Sequence, residues 1–292
     1  MKASAFAYAR ATSVDGALEM LSVHREQAKL LSGGQSLLPA MNLRLVFPEV
    51  IIDISELAEL KGIAVDGGVL RIGALMRHVE VERSYEIATS APLLVEAVKH
   101  IAHPAIRNRG TLGGSLAHAD PAAEMPACML ALDATMVVRG RSGERRLAAG
   151  DFFKGIYTTA LAADELLIAV ELPTAPENSV HFFQEFARRK GDYALAGIAA
   201  QATLESSVIS SLRMAFFGVA DQPVLSKAAA RLVNVSMTPR LITDAAVAFG
   251  EELDPPEDQQ ASSSMRRHLA KVLFRRCAEA LIGSAGLAGG AQ

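Results

Sequence analysis

Cysteine is scarce in this sequence: 292 residues carry two, Cys128 and Cys277, with no Cys-x-x-Cys pair. That count leaves neither a disulfide framework nor the thiolates for an iron–sulfur cluster within the chain. Sparse cysteine fits a reducing compartment, so a cytoplasmic location is expected. No run of about 18 apolar residues occurs, and no membrane span is expected. The first residues, Met1-Lys2-Ala3-Ser4-Ala5-Phe6, lack the apolar stretch of a secretory leader. No repeat of fixed period is visible. Charge of one sign is not in excess either. The formal net charge is −3, which argues against a nucleic-acid partner, whose signature is a strongly basic face. No carboxylate or cysteine cluster accompanies His100 and His103, so they read as surface or interface groups and not as metal ligands.

What is present is an ordinary globular composition, 50% apolar and 21% charged. It is enough for two domains or one large one. Two glycine pairs stand out. Ser32-Gly33-Gly34-Gln35-Ser36-Leu37 follows the short apolar run Ala28–Leu31, which reads as a strand. Thr111-Leu112-Gly113-Gly114-Ser115 follows Arg107, Arg109 and Gly110 and leads to His118, Asp120 and Glu124. Glycines without Cβ atoms permit close approach to the backbone. Exposed N–H groups and neighbouring hydroxyls suit phosphate oxygens. Neither pair has the spacing of a P-loop or of a Rossmann turn. Two separate loops, and not one helix terminus, are therefore expected to grip a diphosphate. A third pair, Gly67-Gly68, has no hydroxyl neighbour and reads as a hairpin turn between Ile63–Asp66 and Val69–Gly73.

The remaining elements follow from periodicity. Ala17, Leu18 and Leu21 share a helix face behind a Ser13 or Asp15 cap. Val50–Ile54 is a strand, with Ser55 and Glu56 expected to cap a short helix after it. Helices are expected over 77–84, 92–102 and 124–132, and strands over 134–139, 145–149 and 166–172. Thr174-Ala175-Pro176-Glu177-Asn178-Ser179 reads as a linker. Beyond it, 180–186, 197–205 and 208–219 suggest an antiparallel sheet, with helices over 243–249 and 262–282. The last helix should bury Met265, Leu269, Val272, Leu273 and Leu281 and turn Arg266, Arg267, Lys271, Arg275 and Arg276 to solvent. The tail from Gly283 should be loose.

The paired loops, with Lys190-Gly191-Asp192-Tyr193-Ala194 further on, resemble the FAD-binding subunit of the molybdenum hydroxylases, the xanthine dehydrogenase and carbon monoxide dehydrogenase family. The resemblance spans essentially the whole chain. It departs from the family's usual residues at Ser32, where alanine is common, and at Leu112, where isoleucine is. It implies an α+β fold: a vanillyl-alcohol-oxidase (PCMH)-type FAD-binding domain of two α/β subdomains over 1–175. A smaller C-terminal domain of antiparallel sheet plus helices would follow over 179–285. It implies that Ser32, Gly33, Gly34, Gln35, Ser36 and Leu37, with Thr111, Leu112, Gly113, Gly114 and Ser115, hold the FAD diphosphate. Asp120 and Glu124 would lie near the ribityl chain, and Tyr193, flanked by Lys190 and Asp192, would cover one flavin face. No catalytic residue and no metal ligand is implied in this chain. Partner subunits are implied: a large one with molybdopterin, where substrate is hydroxylated, and a small one with two 2Fe–2S clusters, arranged as a dimer of heterotrimers. This chain would then pass electrons from FAD to an external acceptor; a quinone acceptor would bring the complex to a membrane surface. The alternatives are a stand-alone flavin-dependent oxidase or reductase of the same fold, and a scaffold without flavin.

Overall fold

Short apolar runs punctuated by glycine and proline divide the first half of the chain into brief strands and helices. The computed structural model describes residues 2–205 and 208–288. β1 (Ala7–Arg10) leads to α1 (Val14–His24). Ser13 Oγ caps α1 by accepting from Gly16 N–H at 3.0 Å. Its buried face is Val14, Ala17, Leu18 and Leu21, the stripe a 3.6-residue period selects. β2 (Ala28–Leu31), α2 (Leu37–Asn42) and β3 (Val50–Asp53) follow. The three strands pair in parallel in the order β1-β3-β2. Every residue of the central β3 is buried, as a parallel strand covered on both faces requires.

The hairpin β4 (Ile63–Asp66) and β5 (Val69–Gly73) turns on Gly67-Gly68, both at positive φ, the geometry of a tight two-residue turn. Six short helices come next: α3 (His78–Arg83), α4 (Tyr85–Ser90), α5 (Pro92–Val98), α6 (Pro104–Arg107), α7 (Leu112–His118) and α8 (Glu124–Ala131). Then come β6 (Thr135–Gly140), β7 (Gly143–Ala148), α9 (Ala149–Phe152), the small pair β8 (Phe153–Gly155) and β9 (Thr158–Thr159), and β10 (Leu166–Pro173). β10 crosses back into the middle of a five-stranded antiparallel sheet ordered β4-β5-β10-β6-β7.

The stretch 174–178 is tied down by Thr174 N–H to Gly68 O at 2.9 Å and Ala175 N–H to Ser90 O at 2.7 Å. It delivers the chain to β11 (Ser179–Ala187), β12 (Ala194–Glu205), β13 (Val208–Phe217) and β14 (Val224–Leu225), an antiparallel sheet in chain order. α10 (Pro239–Glu252) and α11 (Ser263–Ala288) cover one face of it. There Phe249 stacks with Phe216 and Phe274 at 4.0 and 5.6 Å between ring centres. The opposite face does not meet water. Phe183, Ala199, Ala215 and Phe217 join Leu94, Val98, Met125 and Cys128 in one continuous core, so the two halves share buried apolar surface.

Several expectations need correction. β1 was not anticipated. Ser55 and Glu56 cap no helix: Ser55 N–H donates back to Asp53 Oδ1 at 2.9 Å, and the 3-10 turn Ala58–Leu60 begins without a side-chain cap. α5 stops at Val98, four residues early, because the amides of Lys99, His100 and Ile101 bond three residues back and tighten the last turns out of α-helical geometry, before the chain turns at Ala102 with φ +41°. Helix α11 continues to Ala288, so the tail is helical that far, and residues 289–292 lie outside the described residues. On α11, Met265 is exposed while Arg266 is buried. No helix among the described residues is long and apolar enough to cross a membrane.

Candidate functional site

The bend at 32–36 connects β2 to α2, and the bend at 107–111 connects α6 to α7. They lie in contact. The Thr111 hydroxyl donates to Ser32 Oγ at 3.2 Å, and the same Thr111 oxygen accepts from Gly114 N–H at 3.1 Å, which caps α7. His78 N–H to Gly110 O, Leu112 N–H to Met76 O and Gly113 N–H to Ala74 O, all within 2.8–2.9 Å, lace the second bend to the chain leaving β5. Gly113, Gly114 and Ser115 therefore stand in a helix, not in an open loop.

The bare glycines serve contacts within the protein. A Cβ on Gly33 would overlap the Arg109 carbonyl and sit 2.8 Å from Gly110 Cα. One on Gly113 would reach 2.5 Å from Ala74 Cβ, and one on Gly114 2.7 Å from both the Ser32 and Thr111 hydroxyl oxygens. Each is closer than van der Waals contact allows. The two bends fit together because Gly33 and Gly114 carry no side chain where they pack, which leaves room for the Thr111–Ser32 hydroxyl contact.

Their amides differ. Among the described residues, no protein acceptor takes the N–H of Gly33, Gly34, Gln35 or Ser36. Four successive N–H groups are thus left without a protein acceptor. The N–H groups of Leu112, Gly113, Gly114 and Ser115 all have acceptors inside the protein. Beside the junction lies a cavity of about 290 Å³ lined by Ser32, Gly33, Leu38, Arg77, Arg109 and Thr111, and also by Asp53, Ser55 and Glu56. Arg77, which the sequence reading passed over, reaches it through an isolated β-bridge to Thr111. Only that tertiary pairing reveals it.

The seven residues of α7 carry the chain roughly 10 Å to a second group of side chains. Ala119 turns the chain at φ +51°, and Asp120 Oδ1 accepts from Ala122 N–H at 2.9 Å. Tyr157, also missed in the sequence, donates its N–H to Ala119 O at 3.2 Å and lays its ring 4.9 Å from that of His118. Tyr193 extends from the turn between β11 and β12 and is 63% exposed. Loss of solvent around its hydroxyl, then the charges of Asp120, Tyr157 and Glu124, raise its pKa above the ordinary phenol value. Glu124, in the first turn of α8, is pushed up to about 8, chiefly by burial, with smaller contributions from Glu185 and Asp120. Such a carboxyl is largely neutral at pH 7 and can donate a hydrogen bond. The structure thus brings Asp120, Glu124 and Tyr193 together, while Lys190 and Asp192 are exposed on the Tyr193 turn.

The two histidines singled out in the sequence lie where the halves of the chain meet. His100 Nδ1 is 3.4 Å from Glu185 Oε1 on β11, and His103 packs against Gly191, where an added Cβ would be 2.6 Å from its Cε1. A reciprocal pair, His181 with Glu96 at 3.2 Å, crosses the same junction.

Two family models match the chain. Residues 4–175 match the FAD binding domain in molybdopterin dehydrogenase, and residues 181–281 the CO dehydrogenase flavoprotein C-terminal domain. The nicotine 6-hydroxylase medium subunit of Paenarthrobacter nicotinovorans is 39% identical over 94% of this chain and 97% of its own length. Among solved structures, carbon monoxide dehydrogenase from Hydrogenophaga pseudoflava superimposes with a TM-score of 0.94 at 34% identity, covering 96% of this chain and 99% of the other. Quinoline 2-oxidoreductase from Pseudomonas putida 86 gives 0.92 at 37% identity, covering 98% and 99%. The fold is that of these flavoprotein subunits, an FAD-binding domain followed by a smaller antiparallel-sheet domain, and the chain belongs to the family of FAD-binding subunits of molybdenum hydroxylases, as an oxidoreductase subunit whose cofactor is FAD.

Proposed function

We propose that the chain relays electrons within a three-subunit molybdenum hydroxylase. It would accept them from two 2Fe–2S clusters of a small subunit after substrate is hydroxylated at the molybdopterin of a large subunit. It would then pass them to an external acceptor. One observation carries this reading: the unpaired N–H row of Gly33–Ser36 backed by the Arg109–Thr111 bend, an anion cradle built by parts distant in sequence. The residues present fit FAD. The cradle suits a diphosphate, the cavity beside it adds Arg77 and Arg109, and α7 leads to hydroxyl and carboxyl groups at a distance that an extended dinucleotide spans.

In this reading Gly33, Gly34, Gln35 and Ser36 bind the diphosphate through N–H groups, with the hydroxyls of Ser32, Thr111 and Ser115 beside them. Leu37, Leu112, Gly113 and Gly114 shape the cradle and hold the bends together. Asp120 and Glu124 orient the ribityl hydroxyls, Glu124 as donor and Asp120 as acceptor. Tyr193 packs on the flavin and excludes water from one face, with Lys190 and Asp192 at its rim. Bound FAD supplies the redox chemistry, taking up reducing equivalents singly and releasing them to the acceptor. Residues 1–175 and 179–285 form the two working domains.

The need for partners is supported by the thiols. Cys128 and Cys277 are both buried and unpaired, and burial raises the pKa of each. A cluster is held by four protein ligands, chiefly thiolates, which two isolated cysteines do not supply. We place the assembled dimer of heterotrimers in the cytoplasm, at a membrane surface where the acceptor is a quinone. Co-expression with the two candidate partner genes tests the assignment. The account expects a yellow-brown complex holding about one FAD per copy of this chain; a stable complex without flavin, or full substrate turnover by this chain alone, would contradict it.

A further inference from the structure

Arg266 lies on α11 among residues whose pattern reads as a solvated basic face, yet it is 5% exposed. It is the one Lys or Arg buried among the described residues. Its Nη1 donates to Leu195 O at 2.7 Å and to Gly218 O at 2.9 Å, and its Nη2 donates to Asp258 Oδ2 at 2.7 Å. Its Nε has no partner. Burying a guanidinium is costly, and such pairs often add little net stability. What the group holds is therefore more informative than what it contributes energetically.

It holds the two backbone points that frame Tyr193. Leu195 is two residues beyond Tyr193, at the start of β12. Gly218 follows β13, and its N–H donates across the domain junction to Pro121 O at 2.8 Å, next to Asp120. Gly218 sits at φ +73°, with Ala194 O and Leu195 O 2.9 and 3.1 Å from where a Cβ would be. One nitrogen, Nη1, thus bridges the strand leaving Tyr193 and the residue gripping the Asp120 turn, and the rigid guanidinium plane fixes it through Nη2. Asp258, which accepts from Gln260 and Ala261 N–H at 2.8 and 3.0 Å, anchors the guanidinium from outside.

We infer that Arg266 is a positioning residue that sets how Tyr193 and the Asp120 turn stand relative to each other, and through them how Tyr193 packs on the flavin. The inference rests on the reading of Tyr193 given above. Arg266 touches no cofactor. It acts through two carbonyl groups that share Nη1, while Nη2 of the same plane is fixed by Asp258; a lysine ammonium lacks the second, planar arm and cannot hold carbonyls and carboxylate in the same geometry.

The test uses the assembled, flavin-loaded complex and reads the fluorescence of bound FAD, which ring packing quenches, together with FAD content. The variants are Arg266→Met, Arg266→Lys, Asp258→Asn and Tyr193→Ala. For the Arg266 and Asp258 variants the expectation is unchanged FAD content and, for Arg266→Met, a change in bound-flavin fluorescence of at least about twofold, since displacements near 1 Å matter at such contacts. Arg266→Lys and Asp258→Asn should give smaller changes in the same direction. Arg266→Met placed on Tyr193→Ala should add nothing, the mark of a shared path. If Tyr193→Ala leaves fluorescence unaltered, the Tyr193 reading itself fails. If Tyr193→Ala alters it while the Arg266 and Asp258 variants do not, or if their effects add independently, Arg266 is a structural cation and the inference is overturned. Should Arg266→Met fail to assemble, Arg266→Lys and Asp258→Asn decide by the same criteria.

Discussion

The Thr111 hydroxyl donates to Ser32 Oγ at 3.2 Å across 79 residues of sequence, and it accepts from Gly114 N–H in the same arrangement. One side chain therefore caps α7 and joins it to the first bend. Thr111→Val keeps the shape and removes both bonds. It should lower unfolding stability by about 0.5–2 kcal/mol, the usual cost of losing an N-cap, and weaken FAD retention more than a surface change would. Denaturant melts with flavin content measured on the same samples check this.

Gly33→Ala places a methyl where the Arg109 carbonyl sits. Backbone cannot yield as a flexible side chain can, so a destabilisation of about 1–3 kcal/mol is expected, with loss of bound FAD. Gly150→Ala is the control. Nothing lies within 4 Å of that Cβ, and stability should hold within about 0.5 kcal/mol or rise slightly. Equal flavin content in both variants would separate the bend from the cofactor site.

Glu124 titrates near 4.5 when unfolded and is pushed up to about 8 in the fold by burial. The folded state then holds a proton that the unfolded state has released, so stability falls as pH rises from about 4.5 to about 8 and levels off above that. Glu124→Gln removes the titration. The difference in melting temperature between wild type and variant should shift in the variant's favour across that interval. A pH-independent difference would mean that Glu124 is ionised throughout.

His78 gives the opposite slope. Burial, with Arg107 nearby, pushes its pKa down to about 4 from 6.5, so the fold holds it neutral. Stability contributed by neutral burial is present above 6.5 and lost as pH falls through about 4. Its ring lies 2.9 Å from where a Gly110 Cβ would sit, and its backbone N–H donates to Gly110 O. Acid should thus loosen the second bend and release flavin. His78→Gln should release flavin with a shallower pH dependence, followed by the fluorescence of free FAD. Identical release curves would place the acid sensitivity elsewhere.

The legible parts were those with a local cause. α1 has a capping serine and a 3.6-residue stripe, the β4–β5 hairpin has its glycine turn, and Cys128 reads as core; all three stand as expected. β1 was illegible because Ala7–Arg10 has no buried alternation, with exposed residues at three of four positions; it is a strand because β3 lies beside it. The glycine pairs were legible as special but not for their reason. The space their missing Cβ atoms vacate belongs to Arg109, Ala74 and Ser32, which only the fold brings there. Arg266 was misread for a similar cause. Its charge and its place among Arg267, Lys271, Arg275 and Arg276 put it on the solvated face, and two strand ends that sequence cannot see supply its acceptors.

The most direct test of the central claim is anaerobic reduction of the purified complex by its substrate, followed by visible absorption. The account predicts that the flavin band of this chain bleaches after the iron–sulfur signals change, and that it stays unbleached when the small subunit is omitted. Flavin reduction by substrate in this chain alone, at the rate seen in the complex, would contradict it.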